Sequence, residues 1–182
     1  TIQDCVNHAF NPELSIGPVA KLKAKAQPQH ASSKSFQSGE CKIEGSGLDS
    51  QGDWAVEGEA MVTDVPITYL GYVNRDSGVI EETGHPLDGR GIEDKILIYP
   101  KGSGSTVAPY VLMGLIYTGK GPKAIVNRDV CSLTLPACSL LDLPYSHGFS
   151  EDPCIAVNDG DMIRITKKGD RVSLEVLERK GE

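Results

Sequence analysis

Ile96-Leu97-Ile98-Tyr99-Pro100-Lys101-Gly102-Ser103-Gly104-Ser105-Thr106-Val107 is the stretch on which the fold of this chain turns. Ile96 to Tyr99 is a short apolar run stopped by Pro100, which has the length and flanks of a buried strand. The Gly/Ser segment then opens into Val107 to Tyr117, where Val107, Val111 and Leu115 recur every four residues with Leu112 and Ile116 beside them. That spacing predicts a helix, and Pro109 is tolerated there if it lies in the first turn. Thr118-Gly119 ends the helix, with Lys120 just beyond it. Ala124-Ile125-Val126-Asn127, after Pro122, reads as a second buried strand. Strand, helix and strand within roughly 30 residues have the size of one βαβ unit.

Working outward, Trp54 to Val62 shows imperfect alternation and reads as a strand. The segment from Asn74 to Gly91 is rich in turn residues, and Cys131 to Leu141 reads as a second short helix interrupted by Pro136. Cys154-Ile155-Ala156-Val157, Met162 to Ile165 and Val172 to Val176 read as strands separated by Asn158-Asp159-Gly160 and Lys168-Gly169-Asp170 turns. These elements predict a compact α/β domain with a mixed sheet over residues 51–182. Residues 1–50 differ: Lys21, Lys23, Lys25 and Lys34 sit among Ala, Gln, Ser and Pro with little apolar periodicity. They read as an N-terminal extension or docking arm that needs a partner surface.

Composition narrows the function classes. With 18 basic and 25 acidic residues the net charge is −7, which argues against nucleic acid because phosphate contacts need a concentrated Lys/Arg surface. No apolar run approaches the ~20 residues of a membrane span, and no charged-then-apolar leader is present, so a soluble, cytoplasmic protein is expected. The five cysteines, Cys5, Cys41, Cys131, Cys138 and Cys154, form no C-x-x-C pair. That odd, scattered set suits reduced thiols better than a zinc site, a self-contained iron–sulfur site or a disulfide framework.

Lys101 to Thr106 is the leading candidate for chemistry. A glycine-rich turn between a buried strand and a helix exposes backbone N–H groups at the positive end of the helix dipole, which suits a carboxylate or phosphate. Gly104, Ser105 and Thr106 stand at that point, and Ser103, Ser105 and Thr106 put hydroxyls on one rim. The turn is not a Walker A loop, because no Gly-Lys-Ser/Thr follows, and Val107 stands where a dinucleotide fingerprint needs its third glycine. An ordinary helix-capping turn is the competing reading. His85 and Arg90, in the loop His85-Pro86-Leu87-Asp88-Gly89-Arg90, are candidate anion contacts, as is Arg128, against the alternative of solvated or paired charges. Ser146-His147 lacks, in the sequence, the third orienting group that a nucleophilic pair requires.

Taken in order, several segments resemble the small subunit of aconitase X, the swivel domain of the aconitase superfamily. They are Gly58-Glu59-Ala60-Met61-Val62, Asp76-Ser77-Gly78-Val79-Ile80, His85-Pro86-Leu87 with Gly89, Lys95 to Pro100, Lys101 to Val107, and Pro122-Lys123-Ala124-Ile125-Val126. The resemblance covers roughly residues 52–166 and implies a swivelling β/β/α domain with a barrel-like core. It also implies a partner, the aconitase X large subunit, that carries an iron–sulfur cluster and most of the substrate pocket, with no cofactor held by this chain alone. By motif, Ser105 takes the position of the base in a dehydration. Gly104, Thr106, His85, Arg90 and Arg128 are the expected contacts to a small anionic substrate, such as cis-3-hydroxy-L-proline or mevalonate 5-phosphate. Ser103 stands where the family turn commonly has arginine, and Asp88 where it has Cys or Lys. The expectation is therefore one subunit of a hetero-oligomeric hydro-lyase, inactive alone. The rival is a non-catalytic anion-binding or assembly module of the same fold.

Overall fold

The structure, a computed structural model, describes residues 42–181. Seven strands close into a barrel: β1 (Lys42–Gly47), β2 (Trp54–Val62), β3 (Ile96–Tyr99), β4 (Ala124–Asn127), β5 (Tyr145–His147), β6 (Met162–Lys168) and β7 (Arg171–Glu178). Their order around the barrel is β1-β5-β4-β3-β2-β6-β7. β2, β3, β4 and β5 run parallel, while β2–β6, β6–β7, β7–β1 and β1–β5 are antiparallel. α1 (Ala108–Tyr117) crosses from β3 to β4, so the expected βαβ unit is present with its strands in parallel register, Ile96 opposite Ala124 and Tyr99 opposite Asn127.

Two apolar cores explain the two kinds of strand pattern. One fills the barrel with Ile43, Ala60, Ile96, Ile98, Ala124, Val126, Ile163, Ile165, Val172 and Leu174. The other lies outside the parallel strands, where Met61, Leu97, Tyr99, Ile125 and Tyr145 meet Val111, Leu112 and Leu115 of α1 and Ala137 and Cys138 of α2 (Leu135–Leu140). Strands buried on both faces must be apolar throughout, which is why β3 and β4 read as unbroken runs. β6 and β7 have one wet face and alternate.

Several expectations change. The folded unit starts before residue 50: β1 pairs with both β5 and β7, so residues 42–50 belong to the barrel, and only residues 1–41 of the proposed arm lie outside the described residues. Cys154 to Val157 is not a strand. Pro153–Ala156 forms a single helical turn, α3, because Asp152 accepts a hydrogen bond from Cys154 N–H and proline begins the turn. Tyr145–His147, within a Pro/Gly-rich loop by sequence, is strand β5. In α1 the inward face is Ala108, Val111, Leu112 and Leu115; Val107 precedes the helix and is 46% exposed. Pro109 and Pro136 both sit in the first turns of their helices, where no N–H is lost. No helix among the described residues is long and apolar enough to cross a membrane.

Candidate functional site

Parallel strands bring their C-terminal ends to one edge, and in open α/β sheets the loops on that edge bind ligands. Here the edge carries Lys101–Thr106 after β3, Arg128-Asp129 after β4 and Gly148-Phe149 after β5. The Gly-rich turn is held at several points. Ser103 N–H donates to Ile67 O at 2.9 Å, and the Ser103 and Thr68 hydroxyls lie 2.5 Å apart. Gly102 N–H donates to Cys131 Sγ at 3.1 Å, and Cys131 N–H donates to the buried Tyr145 hydroxyl. Below it, Tyr99 hydroxyl meets those of Tyr69 and Thr134. Burial pushes the Tyr69 and Tyr99 phenols well above their ordinary range, so both stay protonated and act as fixed hydrogen-bonding posts.

Gly104 has φ +91°, and a Cβ there would come within 2.9 Å of Thr68 Cγ2. Only glycine suits both demands. Beyond it Ser105 and Thr106 are exposed; Ser105 Oγ accepts from Val107 N–H at 3.2 Å, and Ser105 O accepts from Ala108 N–H at 2.9 Å. No side chain caps α1. Among the described residues, the N–H groups of Gly104, Ser105 and Thr106 have no hydrogen-bond acceptor. The turn thus offers free N–H donors, and Ser105 and Thr106 hydroxyl protons with no acceptor among the described residues, at the start of a ten-residue helix.

The other candidates are placed differently. Arg128 lies on the same edge, its N–H donating to Tyr99 O and its guanidinium 2.6 Å from Asp152. Burial pushes the Asp152 carboxyl up, but Arg128 and Cys154 N–H outweigh it and hold it below the usual carboxylate range. Arg90 pairs with Asp159 at 2.7 Å, and Asp159 also accepts from Val62 N–H at the end of β2. His85 is buried within its own turn, Nδ1 accepting from Leu87 N–H at 3.0 Å. No hydrogen bond or ion pair among the described residues joins His85 or Arg90 to Ser105. The supports that the sequence did not single out are Thr68 and Cys131. Nothing in the residues around them marks a role in a turn some thirty positions away.

No three His, Cys, Asp or Glu side chains among the described residues converge as metal donors. Cys131 is committed to Gly102, Cys138 is buried with its thiol pushed far up by desolvation, and Cys154 is pushed up to about 12, first by burial. These thiols do not fit an iron–sulfur cluster.

Architecture and loop edge together define a mixed α/β swivel domain. A family model for the aconitase X swivel domain matches residues 50–174, and the chain belongs to that family. It is 31% identical over 125 residues to a phosphomevalonate dehydratase small subunit of Methanosarcina acetivorans, covering 69% of this chain and 85% of that one. The corresponding subunit of Pyrococcus horikoshii is 44% identical over 103 residues, 57% of this chain and 75% of the relative. Among solved structures, holo aconitase X of Thermococcus kodakaraensis superposes with a TM-score of 0.64 at 28% identity, covering 73% of this chain and 97% of that chain.

Proposed function

We propose that this chain is the small subunit of an iron–sulfur hydro-lyase that dehydrates mevalonate 5-phosphate, and that Ser105 is its base. Its relatives are dehydratase small subunits, so the chain is a hydro-lyase subunit with a large-subunit partner. One observation supports the site: the free N–H groups of Gly104 to Thr106 and the Ser105 hydroxyl, which accepts from Val107 N–H and donates to nothing among the described residues, lie together at the edge where the parallel strands end. Ser105 Oγ takes the proton from the carbon next to the substrate carboxylate. The C–H pair becomes the new double bond as the hydroxyl on the adjacent carbon departs. The N–H groups stabilise negative charge on Ser105 and on the carboxylate, and the dipole of α1 adds to them. Ser103 and Thr68 keep the turn in register beneath. We assign the cluster to the large-subunit partner, where it would supply a Lewis acid for the departing hydroxyl, while this chain supplies the Gly-rich turn.

Co-expression with the large subunit gives a complex that releases water from mevalonate 5-phosphate, and Ser105→Ala abolishes turnover while the two chains still co-purify. An alanine variant with full turnover removes Ser105 from the chemistry and leaves the turn as a helix-start and assembly element. Turnover of cis-3-hydroxy-L-proline in place of the phosphate ester overturns the substrate assignment alone.

A further inference from the structure

The end of β5 holds a polar arrangement that the Ser105 reading does not use. Asn127, the last residue of β4, is fully buried, and its Nδ2 donates to Tyr99 O on β3 at 3.1 Å. That bond commits Nδ2 to the β3 side. Oδ1 is buried and has no partner among the described residues. The residue opposite Asn127 in the parallel register is His147. Its imidazole packs against Tyr145, two residues back on the same face, with ring centroids 5.8 Å apart, and it remains part-exposed. A buried acceptor with nothing to accept calls for a donor, and the His147 imidazole stands opposite it in register on the adjacent strand.

Adjacent strands lie ~4.8 Å apart, so the ends of β3 and β5, with β4 between them, are separated by roughly 10 Å along this edge. The Gly-rich turn stands at one end of that span and His147 at the other. Arg128 stands between, with Nη2 on Asp152 and Nε buried without a partner among the described residues.

We propose that His147, steered by Asn127, is a second binding pole of the substrate site, donating a hydrogen bond to an anionic oxygen at the far end of a substrate whose carboxylate lies at the Gly-rich turn. In the liganded complex one imidazole nitrogen turns onto Asn127 Oδ1, which is unpartnered among the described residues, and the other faces the ligand. Burial lowers the His147 pKa, so an unliganded imidazole is neutral near pH 7 and the bound anion favours its protonation. The ligand class is a small hydroxy acid with a second anionic group, phosphate or carboxylate, at its other end. A compact ring with a single carboxylate does not reach both poles. The proposal rests on the Gly-rich turn being the substrate site, and its test separates the two.

In the co-expressed complex, His147→Phe keeps the ring contact with Tyr145 and removes both nitrogens, whereas His147→Gln restores an N–H donor. The phenylalanine variant raises KM for mevalonate 5-phosphate about tenfold while kcat stays within about threefold, and glutamine returns KM most of the way. Inorganic phosphate, added as a competitive inhibitor, loses potency in the phenylalanine variant to a similar degree. An unchanged KM in His147→Phe, in a complex where Ser105→Ala has lost turnover, overturns the second pole alone. Equal losses in the Phe and Gln variants, with lowered thermal stability in both, also overturn it by making His147 a packing residue. Full turnover by Ser105→Ala overturns the underlying site and this proposal with it.

Discussion

The Thr68 and Ser103 hydroxyls lie 2.5 Å apart and join segments 35 residues distant in sequence. With Ser103 N–H on Ile67 O, the contact makes Ile67-Thr68 a two-point dock for the turn that carries Ser105. Thr68→Val removes the hydroxyl and keeps the methyl that abuts Gly104. It is expected to lower stability by about 1 kcal/mol and kcat by several-fold, with Thr68→Ser recovering most of the turnover. Steady-state kinetics and thermal melts of the complex check this, and a valine variant with wild-type kcat rejects the docking role.

Gly104 combines a left-handed backbone with a side-chain wall at 2.9 Å. Gly104→Ala is expected to cost about 1–2 kcal/mol, and to displace Ser105 whatever the global cost. Gly114, exposed in α1 with open space around it, is the control: alanine there is expected to stabilise by up to about 1 kcal/mol. Chemical denaturation of the two variants should therefore give shifts of opposite sign.

The Asp152 carboxyl is held below its ordinary value, so the folded state binds its proton less tightly than the unfolded chain does. The stabilisation is complete above the unfolded value and is lost as pH falls through the lower, folded one. Arg128→Met removes the cation, lifts the folded-state Asp152 pKa towards its unfolded value and so shrinks this pH-dependent stabilisation. Acid-unfolding curves of wild type and variant check the sign. Superimposable curves show that the ion pair adds nothing, the usual result for exposed pairs.

Thiol accessibility gives a direct test of the packing under the Gly-rich turn. Cys131 and Cys138 are buried, and the Cys138 thiol is pushed well above its ordinary range, chiefly by burial. In the native protein at pH 8, peptide-mapped alkylation should leave both unmodified, with full modification in denaturant. Rapid native labelling of Cys131 contradicts its seat against Gly102.

What was readable in the sequence follows from how each element is buried. β3, β4 and α1 announced themselves because strands covered on both faces must be apolar throughout, and a helix on such a sheet needs a wide apolar face. β1 did not, because Lys42 to Gly47 contains one apolar residue, Ile43, and two glycines; its place is set by partners more than a hundred residues away. β5 is three residues long and has no periodicity to read. Cys154 to Val157 is as apolar as a strand, and only the Asp152 cap and Pro153 turn it into a helical turn. The Gly-rich turn was legible as a local motif. Thr68, Cys131 and Asn127 were not, since their relation to it exists only once β2, β3 and β4 lie side by side.

The pairing of β1 with β7 has a consequence for how the molecule comes into being. Lys42 to Ser46 find their partners in Arg171 to Glu175, so the first of the described strands waits, its backbone groups open to water, until the last of them has left the ribosome. The parallel β3–α1–β4 unit can assemble earlier from local contacts, while the seam between β1 and β7 needs strands from both ends of the described residues. Such distant contacts slow folding, and until that seam shuts the nascent chain exposes two unpaired strand margins to its neighbours.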